Sequence, residues 1–269
     1  MKQLIAGPWV GEFGWELFAW QGYMRSLSKH YDKTIIISRE NSKSFYDDFA
    51  DGFYPFSPTG GLSDAFFMHN LDIKKAFMSV AKEYKISLDS NTTVLLPRRL
   101  GIPPHTHYTQ HLIFGDLMIQ PDYIKFGEEG ISKYDYIFHI RDRDLRKEDN
   151  WSLEKWSALR DLLDTKKIAC IGTQNESGHI DGTDDLRDIP IQELLNVMRN
   201  SQCAFGPSSG PMHLASLCGL PHVVWSIPQN KLRYEENWNP LKTRVLFDST
   251  NNWHPTAEYI YDRFKEWSQ

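Results

Sequence analysis

From Tyr136 to Ser226 the sequence alternates short apolar runs with longer amphipathic segments, and few folds accept that rhythm. YIFHI (Tyr136–Ile140), KKIACIG (Lys166–Gly172), QCAFG (Gln202–Gly206) and PHVVWS (Pro221–Ser226) are short and too apolar to keep a solvated face. Between them NWSLEKWSALRDLLDT, IPIQELLNVMRNS and SSGPMHLASLCG read as helices, with Pro190 near the start of the second and Gly219 closing the third. Strands alternating with helices predict parallel sheets built from right-handed crossovers. The first half carries a looser version of the pattern. QLIAG (Gln3–Gly7), KTIIISR (Lys33–Arg39) and NTTVLLPRR (Asn91–Arg99) read as strands, the last stopped by Pro97. WELFAWQGYMRSLSKH and NSKSFYDDF read as helices, the second behind an Asn cap, and residues 50–70 and 100–125 as loops. The expectation is two α/β units, 1–130 and 131–269, parting near the polar stretch FGEEGISK (126–133). The final helix, PTAEYIYDRFKEWS, is a candidate to pack back on the first unit.

Composition narrows the function classes. The chain has 269 residues, enough for two modest domains, with 41% hydrophobic and 24% charged residues. No apolar run is long enough for a transmembrane helix, and the N-terminus meets Glu12 and Glu16 too early for a signal peptide. Cys170, Cys203 and Cys218 lie in apolar segments without metal-like spacing, which reads as buried thiols in a reducing, cytoplasmic compartment. A net charge of −5 argues against a surface that coats nucleic acid, although it leaves room for a local basic cleft. His105, His107 and His111 have no acidic partners nearby, and DGTDDLRD (Asp181–Asp188) lacks a full calcium-loop pattern. No metal is expected.

The segment AFGPSSGPMHLASLCGLPHVVW (Ala204–Trp225) carries the most chemistry. A strand ending at Gly206 meets a helix starting near Ser209 or Gly210, so backbone N–H groups face outward without intrahelical partners. Gly210 permits close approach, the helix dipole favours negative charge, and Ser208 and Ser209 add hydroxyl donors. His213, one turn in, is a further donor or a surface for a sugar ring. The competing reading is a plain capped helix start. At the other end of the chain GPWVGEFGWEL breaks a strand into a glycine-bounded loop, offering Glu12, or alternatively Glu16, as a carboxylate. Trp9, Phe13 and Trp15 are candidate aromatic platforms there, and Arg98 and Arg99 end a later strand.

The stretch from Ile189 to Trp225 resembles the C-terminal domain of the heptosyltransferase-like glycosyltransferases (family 9, GT-B fold). The family's Asp-Ser-Gly-Pro-x-His-x-Ala turn is matched by Ser209, Gly210, Pro211, His213 and Ala215, followed by Gly219 and Pro221. Ser208 stands where the family usually has aspartate. YIFHIRDRDLRKEDNWSLEKWSALRDLL and IACIGTQNE are similar to its preceding strands, basic loop and Gly-ended turn, and Gly11-Glu12 resembles its Gly-Asp loop.

That resemblance implies two Rossmann-like domains facing each other across a cleft. It implies an inverting glycosyltransferase that binds a nucleotide-sugar as donor substrate, with no tightly bound cofactor. Arg141, Arg143 and Lys147 become phosphate partners, Gln174 and Glu176, after the Gly172 turn, base or ribose contacts, and Ser208, Ser209, Gly210 and His213 the pyrophosphate turn. Glu12 becomes the base, with Trp9, Phe13, Trp15, Arg98 and Arg99 on the acceptor side. The acceptor expected is a saccharide of lipopolysaccharide or capsule type. The alternatives are a hydroxymethylated pyrimidine in phage DNA, which base flipping would serve, a sugar-nucleotide epimerase and a catalytically silent binding protein.

Overall fold

In the computed structural model, residues 1–57, 72–97, 112–114 and 117–269 are described. The chain forms two compact units, Met1–Tyr123 and Ile124–Gln269. The division falls ahead of residue 130 because the intervening segment is stitched to the second unit. There Phe126 N donates to Leu217 O at 2.8 Å, Glu128 N to Asn196 Oδ1 at 2.9 Å and Gly130 N to Asn200 Oδ1 at 2.7 Å.

The first unit is built on strands β1 (Gln3–Ala6), β2 (Lys33–Ser38), β3 (Gly52–Pro55) and β4 (Thr92–Leu95), all parallel, in the order β3-β2-β1-β4. Ile5, Ile35 and Ile37 meet Phe77, Val80 and Ala81 of helix α3 (Ile73–Glu83) in its core. Asp72 caps that helix, accepting from the amides of Lys74 and Lys75. The helix after β1 runs from Phe13 to Ser28 in three pieces: α1 (Phe13–Glu16), a π-turn over Leu17–Gln21, and α2 (Gly22–Ser28). Two elements emerge where loops are predicted: β3, and an antiparallel hairpin of β5 (Leu112–Phe114) and β6 (Leu117–Ile119). The helix predicted over NSKSFYDDF is instead a short 3-10 turn, Glu40–Phe45. Ser42 and Tyr46 there aim their hydroxyls at a buried carboxylate, and that bonding sets the backbone.

The second unit holds β7 (Tyr136–Phe138), β8 (Ile168–Gly172), β9 (Asp184–Arg187), β10 (Cys203–Pro207), β11 (His222–Trp225) and β12 (Val245–Asp248). All are parallel, in the order β12-β11-β10-β7-β8-β9. This is the doubly wound Rossmann order. Helices α4 (Leu153–Leu163), α5 (Ile191–Arg199) and α6 (Gly210–Cys218) are the predicted crossovers. The acidic DGTDDLRD segment contributes a strand: Asp184–Arg187 pairs with β8 as the edge strand, and Arg187 forks onto Asp185 at 2.7 and 2.8 Å. The C-terminal helix α7 (Ala257–Ser268) packs on α4 within this unit. Its Ile260 and Phe264 join Phe138, Trp156, Phe205 and Trp225 in the core, and Trp151 Nε1 donates to Pro255 O at 2.8 Å just ahead of it. The rings of Trp151, Trp156 and Trp225 pack within 4.8 to 5.4 Å of one another in this core.

One buried arginine ties the first unit together. Arg25 of α2 forks onto Asp48 (2.7 and 3.0 Å) and donates to Gln21 Oε1, Phe45 O and Asp122 O. Arg25→Met removes the guanidinium and leaves carbonyls and a partly shielded carboxylate without their donor. It is expected to cost about 2–4 kcal/mol, Arg25→Lys recovering only part because it lacks the fork. Urea denaturation followed by tryptophan fluorescence measures both; an unchanged midpoint would remove Arg25 from the account of this unit's stability.

Candidate functional site

In the second sheet the strand order reverses between β7 and β10, so the loops leaving their carboxyl ends diverge and open a crevice. After β10 the chain runs through Ser208 and Ser209 into α6. Ser208 N is held by Trp225 O at 3.1 Å, and Ser209 is extended, with φ −163°. The Ser209 amide donates to the Tyr234 hydroxyl at 3.0 Å, and its Oγ lies 2.9 Å from His139 Nδ1. Pro211 has no N–H and His213 N returns to Ser209 O at 3.1 Å, so Gly210 and Met212 supply the remaining first-turn amides. Ser208 to Pro211 are half-buried. The turn is therefore fixed from beneath, and its half-buried residues carry the Ser208 and Ser209 hydroxyls and the Gly210 amide.

His213 does not belong to that half-buried set. It is buried, stacked on Tyr234 with ring centroids 4.0 Å apart, and edge-on to Trp238 at 4.6 Å. Burial first, then the charge of Arg233, holds its pKa well below the usual histidine range. It is a packing residue under the turn.

The loop after β7 sorts the basic candidates. Arg141 is buried, and its guanidinium donates to Arg146 O (3.0 Å), Leu145 O (3.1 Å) and Asn150 Oδ1. Its donors fold its own loop, and burial, with Arg143 nearby, lowers its pKa to about 10. Arg143 does not fold the loop in this way: its Nε is buried without a hydrogen-bond partner among the described residues, 3.9 Å from Glu176 Oε1. Lys147 is exposed on a 3-10 turn, Lys147–Asp149. Gly172 ends β8 at φ +127°, and a Cβ there would sit 2.0 Å from Ser177 Oγ. Gln174 is exposed, its amide on Asp188 Oδ2 at 3.3 Å.

The first unit has its own switch point between β1 and β4, where the loop Gly7–Glu12 leaves β1. Glycine is required at position 7, since a Cβ would fall 2.1 Å from Ile37 O at φ +119°. Glu12 is half-buried at the N-terminal cap of α1. Glu16, the alternative carboxylate, is completely buried: Ser42 Oγ (2.8 Å), Tyr46 Oη (2.7 Å) and Ser38 Oγ donate to it, and Arg39 Nη1 lies 3.8 Å away. Burial, then the charge of Glu16, raises the Tyr46 pKa, keeping the phenol a donor. Trp9 is buried, its Nε1 donating to Gly11 O at 3.1 Å and its ring 5.4 Å from that of Trp20, so it is core and not a platform. Phe13 and Trp15 are half-buried. Arg98, Arg99 and the histidines at 105, 107 and 111 lie outside the described residues.

Sequence reasoning overlooked His139, Asn150, Ser177 and Tyr234. His139 had a signal, a polar residue inside the otherwise apolar YIFHI. Tyr234 had only its position among the charges of KLRYEENW, where a second π-turn, Arg233–Asn237, carries it inward. Among the described residues no cluster of His, Cys, Asp or Glu is arranged to hold a metal, and no helix is long and apolar enough to cross a membrane.

No known family profile matches the chain, and no curated protein is similar to it in sequence. Solved structures are similar to it in fold. One is the glycosyl transferase family 9 protein of Veillonella parvula, with a TM-score of 0.63 at 14% identity over 98% of this chain and 96% of that one. Another is ADP-heptose lipopolysaccharide heptosyltransferase II of E. coli, at 0.59 and 11% over 99% and 98%. A third is E. coli heptosyltransferase WaaC with ADP, at 0.59 and 11% over 99% of each chain. The chain thus has the fold of these enzymes, with two parallel sheets.

Three histidines of the second unit are buried neutral. Burial brings His139 down to about 3 and His222 to about 4, and lowers His213 as well, all from 6.5. A folded pKa below the unfolded one means the unfolded chain binds more protons between those values. Stability is complete well above pH 6.5 and falls as the pH drops below it, by roughly 1 kcal/mol per pH unit for each ring. Denaturant titrations from pH 7.5 to pH 5 test this. An unchanged stability would mean the rings are not held neutral.

Proposed function

We propose that the protein is an inverting glycosyltransferase, moving a sugar from a nucleotide-diphosphate donor to a hydroxyl acceptor. The observation that carries this is the switch-point turn of the second unit. The half-buried Ser208 and Ser209 hydroxyls and the Gly210 amide stand on a Rossmann-like sheet, with Arg143 on the β7 loop. Such a turn suits a pyrophosphate. The likeness to glycosyltransferase folds, one described with ADP, supports a nucleotide as the group bound there.

In the reaction the acceptor hydroxyl attacks the anomeric carbon as the bond from that carbon to the diphosphate oxygen breaks. The proton leaves the acceptor oxygen for a carboxylate, and the electron pair leaves with the diphosphate. Glu12 is assigned the proton. Glu16 is unsuited to it, because hydroxyl donors fill both of its oxygens and it has no exposed surface. Arg143, the first-turn amides and, at closer approach, Lys147 neutralise the leaving diphosphate. Arg141 acts indirectly by holding the loop that carries Arg143.

The acceptor proposed is a saccharide of lipopolysaccharide or capsule type. The net charge of −5 disfavours modified DNA, for which retention on duplex DNA at low salt, lost steeply with added salt, would speak. A thermal-shift screen against UDP-, ADP-, GDP- and CMP-sugars identifies the donor, since a ligand selective for the native state raises its melting temperature. With that donor, Glu12→Gln is expected to lower turnover by about 100-fold or more and leave donor binding intact, while Arg143→Ala weakens donor binding. Wild-type turnover in the Glu12 variant would reassign the base. No stabilisation by any sugar nucleotide would end the glycosyltransferase reading.

A further inference from the structure

His139 stands at the carboxyl end of β7 and its ring lies between two serines. Nδ1 is 2.9 Å from Ser209 Oγ in the turn after β10, and Nε2 is 3.3 Å from Ser177 Oγ in the loop after β8. Two glycines hold the ring in place. A Cβ on Gly172 would be 3.3 Å from His139 Cδ2, and one on Gly206 would be 3.3 Å from His139 Cβ and 2.7 Å from Met212 Sδ. The imidazole is buried and neutral, burial and the charges of Arg141 and Arg143 all opposing a second proton.

A neutral imidazole has one N–H and one bare nitrogen, so of its two serine partners one must donate and the other accept. The two arrangements are not equivalent. Ser177 is buried, and among the described residues the acceptor within reach of its hydroxyl is His139 Nε2. If Nε2 carried the proton, the Ser177 hydroxyl hydrogen would be left buried and unbonded, a costly outcome. With Ser177 donating to Nε2, the ring proton sits on Nδ1 and is given to Ser209 Oγ. Ser209 then keeps its own O–H hydrogen, and it lies on the half-buried turn. In the opposite tautomer Ser209 donates inward and presents only lone pairs to an anion.

We propose that Ser177 fixes the tautomer of His139, and that His139 thereby turns the Ser209 hydroxyl outward as a donor to a phosphate oxygen. Ser177 and His139 are positioning residues in this scheme, and Ser209 is the group that touches the ligand. The scheme rests on the reading of this turn as a diphosphate site. Ser177→Ala deletes the hydroxyl alone, because the Ser177 carbonyl still accepts from Arg187 Nη1 at 2.8 Å and keeps the loop pinned.

The test has two arms on the full-length protein. The first is nitrogen NMR of protein labelled isotopically at histidine, with His139→Gln assigning the signals. His139 is expected to show a protonated Nδ1 and a bare Nε2, and Ser177→Ala to shift the ring toward protonated Nε2. The second is calorimetric titration with inorganic pyrophosphate. Ser177→Ala is expected to weaken binding about tenfold in the native background and to add nothing in a Ser209→Ala background. A protonated Nε2 in the unmodified protein, or an equal loss in both backgrounds, overturns the relay. If the unmodified protein binds no pyrophosphate, the diphosphate reading falls with the ligand half of the proposal, and the ring spectrum alone decides whether Ser177 sets the tautomer.

Discussion

Where the strands of a parallel sheet part company, two loops leave in opposite directions, and the backbone beneath the gap must be satisfied from below. In each unit of this protein that duty falls on one buried polar side chain. In the first, Glu16 collects the hydroxyls of Ser38, Ser42 and Tyr46 and draws the segment after β2 against the helix after β1. In the second, His139 joins the turns after β8 and β10 through Ser177 and Ser209. The loop that carries Glu12 and the Ser208–Ser209 turn owe their shapes to these groups, both of which are buried. Burying them is affordable because their hydrogen bonds are made; an isolated charge or imidazole in the same pockets would be strongly unfavourable.

The same division of labour separates Arg141 from Arg143. Two residues apart on one strand exit, they differ in what surrounds the guanidinium. Arg141 lies inside the loop and is surrounded by carbonyls, whereas the Arg143 guanidinium, among the described residues, pairs with the Glu176 carboxylate at 3.9 Å. Asn150 decides this difference, since its amide accepts from Arg141, accepts from the Arg143 backbone at 3.3 Å and donates to Arg143 O at 2.9 Å. A basic loop therefore folds around one of its arginines, Arg141, and not around the other.

Much of the second sheet was legible in the sequence, because strands buried on both faces are written as unbroken apolar runs and the three crossover helices alternate with them. β9 was hidden: an edge strand needs no apolar run, and DDLR looks like a turn. The 3-10 turn at Glu40–Phe45 was hidden because its conformation is dictated by a carboxylate some two dozen residues earlier in the chain, which no local window contains. At the site, the turn was legible through its glycine, proline and serines, whose backbone demands are local. The inward destinations of Trp9, Arg141 and His213 were not, since an aromatic, a guanidinium or an imidazole reads identically whether it faces ligand or core until the third dimension supplies its neighbours.

The π-turn at Leu17–Gln21 bears on how this chain can be compared with others. A residue in a helix advances the azimuth by about 100°, so one surplus residue rephases everything beyond it. On a regular helix Glu16 and Arg25, nine residues apart, would stand about half a turn from each other; the surplus residue brings them toward one side, where Glu16 meets Ser38 and Tyr46 and Arg25 meets Asp48. Gln21 bridges the seam, donating to Leu17 O at 2.9 Å and accepting from Arg25. A gap-free alignment through a regular helix in a distant homologue would pair the wrong faces on one side of that seam. The identities in this segment have to be counted in two frames, one for each half.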